Sequence, residues 1–269
     1  MFWAGRPALE TIREVKGLGV VCGQMGVAGN MTLDLASAAS WKSALEAEDF
    51  TLLTAFAAYN GEDYADGPTV QRTVGLIPPA TRAERLKRTL DLSDWAKVVG
   101  AGSIATHIGF VPEDRTDPDY IAVREIVRLV CDYAAGNGQT FALETGQEPA
   151  NTLLEFFQDV NRDNLRINFD PANMIMYGTG DPIEALQILA PHVVSVHAKD
   201  GKWPPKDVPG SLGTEFPLGR GDVGLERFIA KLKEIGYTSP LNIEREIPDH
   251  NQRLADIAEG VKLLRRLIA

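Results

Sequence analysis

The sequence predicts a single α/β barrel of eight strand–helix units, and three observations carry that reading. The chain has 269 residues, close to the roughly 250 typical of such a barrel. Short apolar runs rich in Val, Ile, Leu and Phe alternate with helical stretches from end to end, as parallel strands buried on both faces do. Four of those runs stop abruptly at a side chain suited to a metal: Phe-Ala-Leu-Glu144, Ile-Asn-Phe-Asp170, Val-Ser-Val-His197 and Leu-Asn-Ile-Glu244. Strand ends of a closed parallel barrel share one face, so ligands far apart in sequence would meet there. No composition shift marks a boundary, and residues 1–269 are taken as one barrel domain.

The elements follow in order. Phe2 to Gly5 reads as the stub of a first strand, because Pro7 to Lys16 already presents Leu9, Ile12 and Val15 on one helical face. Such a short first strand leaves open a natural start upstream of Met1. Val20 to Val27 is the second strand. Gly17 and Gly19 before it resemble half of a dinucleotide fingerprint, but that motif follows a strand and these follow a helix, so no nucleotide site is read here. Leu33 to Ala47 is helical, and Phe50 to Tyr59 is a strand that runs into a loop from Asn60 to Gly67. Thr81 to Val99 is a helix with Thr81 and Glu84 spaced as a capping box and Leu86, Leu90 and Trp95 facing inward. Ile104 to Phe110 is a strand carrying His107. Asp117-Pro118 opens a helix to Ala135, which Gly136-Asn-Gly138 closes. Strand and helix then repeat four times, with helices over Asn151 to Val160, Pro182 to Leu189, Leu225 to Ile235 and Gln252 to Leu267. Between His197 and the seventh helix, Gly201 to Asp222 is rich in Pro and Gly and is expected to lack regular structure. Loops of that length commonly cover a binding site.

Composition removes several function classes. Hydrophobic residues make up 44% and charged residues 24%, as in ordinary globular proteins with a sizeable core. A formal net charge of −10 disfavours a nucleic-acid backbone or an anionic membrane surface as partner. Cys22 and Cys131 are too few and too far apart for a disulfide framework or a zinc knuckle, which fits a reducing cytoplasm. No stretch reads as a signal sequence or a membrane span. Oligomeric state stays open between a monomer and a homo-oligomer.

Glu144, Asp170, His197 and Glu244 form a mostly oxygen set with one imidazole, suited to Mn2+, Mg2+, Co2+ or a catalytic Zn2+. A divalent ion in such a set can chelate a carbonyl and its neighbouring hydroxyl and stabilise an enediolate. If Glu144 and Glu244 flank the substrate, one can remove a proton from one face while the other returns it from the opposite face. A lone carboxylate at a strand end is more often a helix cap or an ion-pair partner, and only the set of four argues for a metal. His107 is either a substrate contact or a satisfied core imidazole. Lys199, with Asp200 beside it, could pin His197 or hold a substrate oxygen. Arg220 and Arg245 are the cations placed for a hydroxyl or a phosphate. Asn173 could bond a sugar hydroxyl or cap the turn after Asp170.

The chain resembles the sugar phosphate isomerase/epimerase family of xylose-isomerase-like barrels. The resemblance spans nearly its whole length, through Ala-Leu-Glu144-Thr-Gly, Asn-Phe-Asp170-Pro-Ala-Asn173, Ser-Val-His197-Ala-Lys-Asp200, Pro-Leu-Gly-Arg-Gly-Asp222 and Asn-Ile-Glu244-Arg-Glu. It implies that Glu144, Asp170, His197 and Glu244 bind a divalent ion, most often Mn2+ in that family, and that the two glutamates are the acid/base pair. Asn173 departs from the histidine that ketose epimerases of the family commonly carry there. The expectation is therefore a metal-dependent isomerase or epimerase acting on a sugar. A lyase, hydrolase or dehydratase on an oxidised sugar is the alternative that uses the same site. A sugar-binding protein without turnover would not need two glutamates.

Overall fold

The structure is a computed structural model and describes residues 1–269. Eight parallel strands form the sheet: β1 (Phe2–Trp3), β2 (Cys22–Val27), β3 (Thr51–Ala57), β4 (Ser103–Thr106), β5 (Thr140–Glu144), β6 (Leu165–Phe169), β7 (Val193–Ala198) and, past a hairpin, β10 (Leu241–Ile243). They pair in chain order and the sheet curls into a barrel. The hydrogen-bonded order begins at β1 and ends at β10, and the Met1 ammonium donates to the Ile243 carbonyl across the seam. Between that seam and the helices on either side lies a cavity of about 250 Å³, lined by Phe2, Leu18, Val20, Leu241 and Ile257 among others.

The long helices fall where periodicity places them: α1 (Ala8–Gly17), α2 (Leu35–Ala47), α4 (Arg82–Val99), α5 (Pro118–Gly136), α6 (Ala150–Val160), α8 (Pro182–Leu189), α9 (Leu225–Glu234) and α10 (His250–Ile268). Asp117 accepts the Asp119 N–H at the start of α5, and Asp181 accepts the N–H groups of Ile183 and Glu184 at the start of α8, each satisfying donors that a helix leaves unpaired. No helix is long and apolar enough to cross a membrane.

Four features differ from expectation, the first being that the strand read over Ile104 to Phe110 stops at Thr106, so that His107 follows β4 rather than lying in it. Two seven-residue helices, α3 (Gly67–Thr73) and α7 (Pro171–Tyr177), form where no helix is expected. Both open on Asp with Pro at the first or second helical position, and Asp66 and Asp170 accept the N–H groups that cap them. The segment after β7 contains an antiparallel hairpin, β8 (Asp200–Lys202) with β9 (Thr214–Phe216). Thr81 precedes α4 but makes no cap bond, because its backbone (φ −111°, ψ −6°) is already in the helical region and its hydroxyl is buried unpartnered. A capping side chain needs extended backbone to reach back to the helix.

Side-chain alternation divides the strands between two environments. Outward residues such as Met25, Leu52, Ile104, Phe141, Ile167 and Phe169 join the helices in one cluster of 55 buried apolar residues, which is the core. The barrel interior is different. Its apolar cluster of buried residues comprises Phe56, Ala105 and Ala142, and the other inward positions include the buried Gln24, Thr54, Asn168 and Ser195.

Candidate metal and substrate site

Glu144 ends β5, Asp170 caps α7 directly after β6, His197 lies in β7 and Glu244 follows β10. These four strands are consecutive in the sheet, so the residues share one side of the barrel mouth. They are 1%, 0%, 0% and 7% exposed, and one ligand atom from each lies within 4.8 Å of the others. His197 Nδ1 stands 2.6 Å from Glu144 Oε1, 3.1 Å from Glu244 Oε2 and 3.5 Å from Asp170 Oδ2.

Two observations say that this group fits a cation. His197 Nδ1 and Asp170 Oδ2 are buried without a hydrogen-bond partner, and buried polar atoms of that kind are rare unless something else satisfies them. The other faces of the same residues are occupied: Asp170 Oδ1 accepts the N–H groups of Ala172 and Asn173, and His197 Nε2 lies 2.6 Å from Gln24 Oε1. An amide oxygen there fixes Nε2 as a donor, so Nδ1 is the nitrogen left to face the three carboxylates, and an ion bound among them would take the place of its proton. One imidazole with three carboxylates is a donor set for a hard or borderline divalent ion.

A polar column fixes this arrangement from below. Gln24 donates to Asn168 Oδ1 at 3.0 Å, Ser195 donates to the same oxygen at 2.5 Å, and Asn168 Nδ2 donates to Glu144 Oε1 at 3.3 Å. Sequence reading passes over these residues, yet a signal is present. Asn168, Ser195 and Asn242 each stand two residues before a member of the cluster, and residues two apart on a strand share a face. The ladders on either side of the column are irregular at the same level, with register shifts at Gly23/Gln24 and Ile167/Asn168.

Charge around the group is tightly paired. Burial pushes the Glu144 carboxyl up, but His107 and His197 beside it prevail and hold it at about 2. Burial, against the Lys199 charge, raises Asp170 to about 6. Burial opposes the positive charge on His107, and Glu144 overcomes it to raise the imidazole to about 9. Its Nε2 lies 2.5 Å from Glu144 Oε2, and Gln147 Nε2 is 3.2 Å from its other ring nitrogen.

Above the group opens a pocket of about 700 Å³. Of the four ligand-type residues, Glu144 and Glu244 line it, while Asp170 and His197 lie behind. His107 and Asn173 line it as well, and Trp3, Phe56, Tyr64 and Tyr177 supply aromatic wall. Both loops singled out in the sequence contribute, through Glu62 to Asp66 and through Val208 to Gly213, and the Gly67 N–H donates to the Gly210 carbonyl to join them.

Four other positions lie outside the pocket lining. Lys199 is 2% exposed beneath it and donates to Glu244 at 2.9 Å and Glu246 at 2.7 Å. Arg245 is turned away by strand alternation and pairs with Asp256 at 2.7 Å and Glu215 at 3.0 Å. Arg220 is exposed. Asp200 is bound up in the adjoining loop, where its carboxylate accepts the N–H groups of Gly201, Gly219, Gly221 and Val223.

Comparison with known proteins agrees with the geometry. The family model for the xylose isomerase-like TIM barrel matches residues 12–267. The crystal structure of a xylose isomerase domain protein from Planctomyces limnophilus is 44% identical, with 99% of this chain and 95% of that chain covered and a TM-score of 0.94. A xylose isomerase-like TIM-barrel protein from Mycobacterium smegmatis, crystallised in complex with magnesium, is 19% identical over 98% of this chain and 90% of its own, with a TM-score of 0.72. D-psicose 3-epimerase from Clostridium cellulolyticum H10, solved with D-tagatose, is 16% identical over 99% and 95%, with a TM-score of 0.70. The last two likenesses show a shared fold.

Proposed function

The chain belongs to the xylose isomerase-like TIM-barrel family, and from that premise we propose that it is a divalent-metal-dependent sugar isomerase or epimerase. One observation carries the reading: Glu144 and Glu244 belong both to the four-residue cluster and to the pocket lining. Residues needed only to hold an ion could all have stayed behind the wall, as Asp170 and His197 do. The epimerase of the same fold supports sugar as the substrate class.

In this reading Glu144, Asp170, His197 and Glu244 hold the ion, Mn2+ being the first choice and Mg2+, Co2+ or Zn2+ the others. The bound ion supplies Lewis-acid stabilisation of the negative charge that develops on the substrate's carbonyl oxygen. One glutamate takes the proton from the carbon beside that carbonyl, and the C–H electron pair becomes part of a carbon–carbon double bond. A proton passed through the other then reaches the opposite face, taking the double bond's electron pair into a new C–H bond and restoring the carbonyl. His107 and Asn173, on the pocket wall, hold substrate hydroxyls. Lys199 fixes Glu244 and Glu246 rather than touching sugar. The two free cysteines fit a cytoplasmic setting.

The test is deuterium uptake from deuterated water into a panel of ketoses, with metal content measured on the same samples. Glu144→Gln and Glu244→Gln should each retain metal and lose about 100- to 10,000-fold in turnover, the usual contribution of one positioned acid or base. Parent-like rates in both metal-loaded variants would end the two-glutamate reading. Loss of a substituent from the substrate in place of simple exchange would transfer the site to lyase chemistry.

A further inference from the structure

We infer that the pocket takes an uncharged, unphosphorylated polyol sugar, an assignment that rests on the sugar-processing reading of the same site. Six carboxylates line it, Glu62, Asp66, Glu144, Glu215, Glu244 and Glu246, and no Lys or Arg side chain is among the lining residues. They sit at every level, from Glu144 and Glu244 on the floor to Asp66 in the loop that meets Gly210. An anionic group reaching any part of the pocket would face them.

The nearby side-chain cations are committed to these same acids, and the ammonium of Met1, itself a lining residue, donates to the Ile243 carbonyl. Lys199 is buried beneath Glu244 and Glu246 and bonded to both. Arg245 is divided between Glu215 and Asp256. The imidazole of His107 is held against Glu144 Oε2. Recognition of a phosphate normally draws on a free Arg fork, a Lys or a helix N-terminus. The helix terminus nearest the rim, at α3, is already capped by the Asp66 carboxylate, which accepts the Thr69 N–H at 2.8 Å. A divalent ion would add two positive charges to those of Lys199 and His107, and together these only neutralise Glu144, Asp170, Glu244 and Glu246, so the floor would not become cationic on loading and Glu62, Asp66 and Glu215 would keep the pocket acidic. Carboxylates and aromatic faces together instead suit a neutral polyol. Acceptor oxygens take its hydroxyl protons, and Trp3, Phe56 and Tyr64 offer apolar surface to its C–H groups.

The experiment compares a hexitol with its terminal phosphate ester, titrated calorimetrically into metal-loaded protein without excess metal. At low ionic strength the neutral hexitol should bind at least about 100-fold more tightly, since like charges juxtaposed in a binding site repel strongly. The gap should narrow as salt is raised, because screening weakens repulsion at the open rim. Equal or tighter binding of the ester overturns the inference. So does a gap indifferent to salt, which would assign exclusion to shape, and so does failure of the hexitol to bind. Deuterium exchange into free ketoses and their phosphate esters separates the two claims. Hexitol-selective binding without exchange into any sugar would leave the charge assignment standing and remove the isomerase reading. Exchange confined to the phosphate esters would remove the charge assignment and leave the chemistry.

Discussion

The inner and outer surfaces of the sheet are built from alternate residues of the same strands, yet they follow opposite rules. Outside, Phe141, Ile167 and Phe169 enter a continuous apolar core with the helices, and Phe169 stacks on Phe228 with ring centroids 5.9 Å apart. Inside, Gln24, Asn168, Ser195 and His197 form a hydrogen-bonded column that ends at the acidic cluster. Stability should therefore reside mainly in the first surface and chemistry in the second, with one layer of backbone between them.

The largest effect expected from attacking that division is on the outer surface. Phe228→Ala, on α9 and away from the cluster, should cost about 3–5 kcal/mol of stability, the usual penalty for emptying a buried aromatic site. The protein that remains folded should bind metal with nearly parental affinity. Chemical denaturation paired with metal titration checks both, and a folded variant that no longer binds metal would show that the two surfaces are not separable.

An intermediate effect concerns Glu148, a buried acid at the margin between the two regions. One of its oxygens accepts the Val111 N–H at 3.0 Å and the other has no partner, and burial raises its carboxyl from 4.5 to about 7. The folded state thus keeps a proton that the unfolded state releases, so its contribution to stability is full below about pH 4.5 and is lost as pH rises to about 7. Glu148→Gln should flatten that part of the stability curve. Above pH 7 it should gain up to about 3 kcal/mol, at about 1.4 kcal/mol for each pH unit separating the folded carboxyl from the unfolded one. Parallel curves for parent and variant would mean that Glu148 ionises as freely folded as unfolded.

The smallest effect is expected inside. Gln24→Leu keeps the bulk but removes the acceptor that orients His197, and loss of such a partner typically lowers metal affinity by about 10- to 100-fold. Stability should fall by about 1–3 kcal/mol for the donor left unpaired. Unchanged affinity would reduce the column to packing.

How much of this is legible in the sequence follows the same division. Outer positions announce themselves as apolar runs, so the long helices and the ligand-bearing strands are found within a few residues. The four residues of the acidic cluster stand out because a carboxylate or imidazole ends each run. The column beneath them is equally written, as single polar residues inside apolar strands, but its meaning depends on which face they share. Arg245 shows the converse: next to Glu244 in sequence, it faces away, because neighbours on a strand project to opposite sides. The helices α3 and α7 escape because seven residues hold too little periodicity, although the Asp and Pro that open them are recognisable. The hairpin β8–β9 escapes because only three residues of each strand pair.

The carboxylate of Asp200, gathering four backbone N–H groups from the two ends of one long excursion, has a consequence for how such a protein can change over generations. The clasp closes the excursion at its root, three residues from His197, and the β8–β9 ladder extends the closure outward. Beyond it, the tip from Val208 to Leu212 that roofs the pocket is tied to its surroundings by single backbone bonds, among them Gly67 N–H to the Gly210 carbonyl, rather than by the joint itself. Insertions, deletions and wholesale replacement of the tip should therefore be tolerated without disturbing the reacting groups, making it the place where this scaffold acquires new substrate preferences while its chemistry is inherited intact.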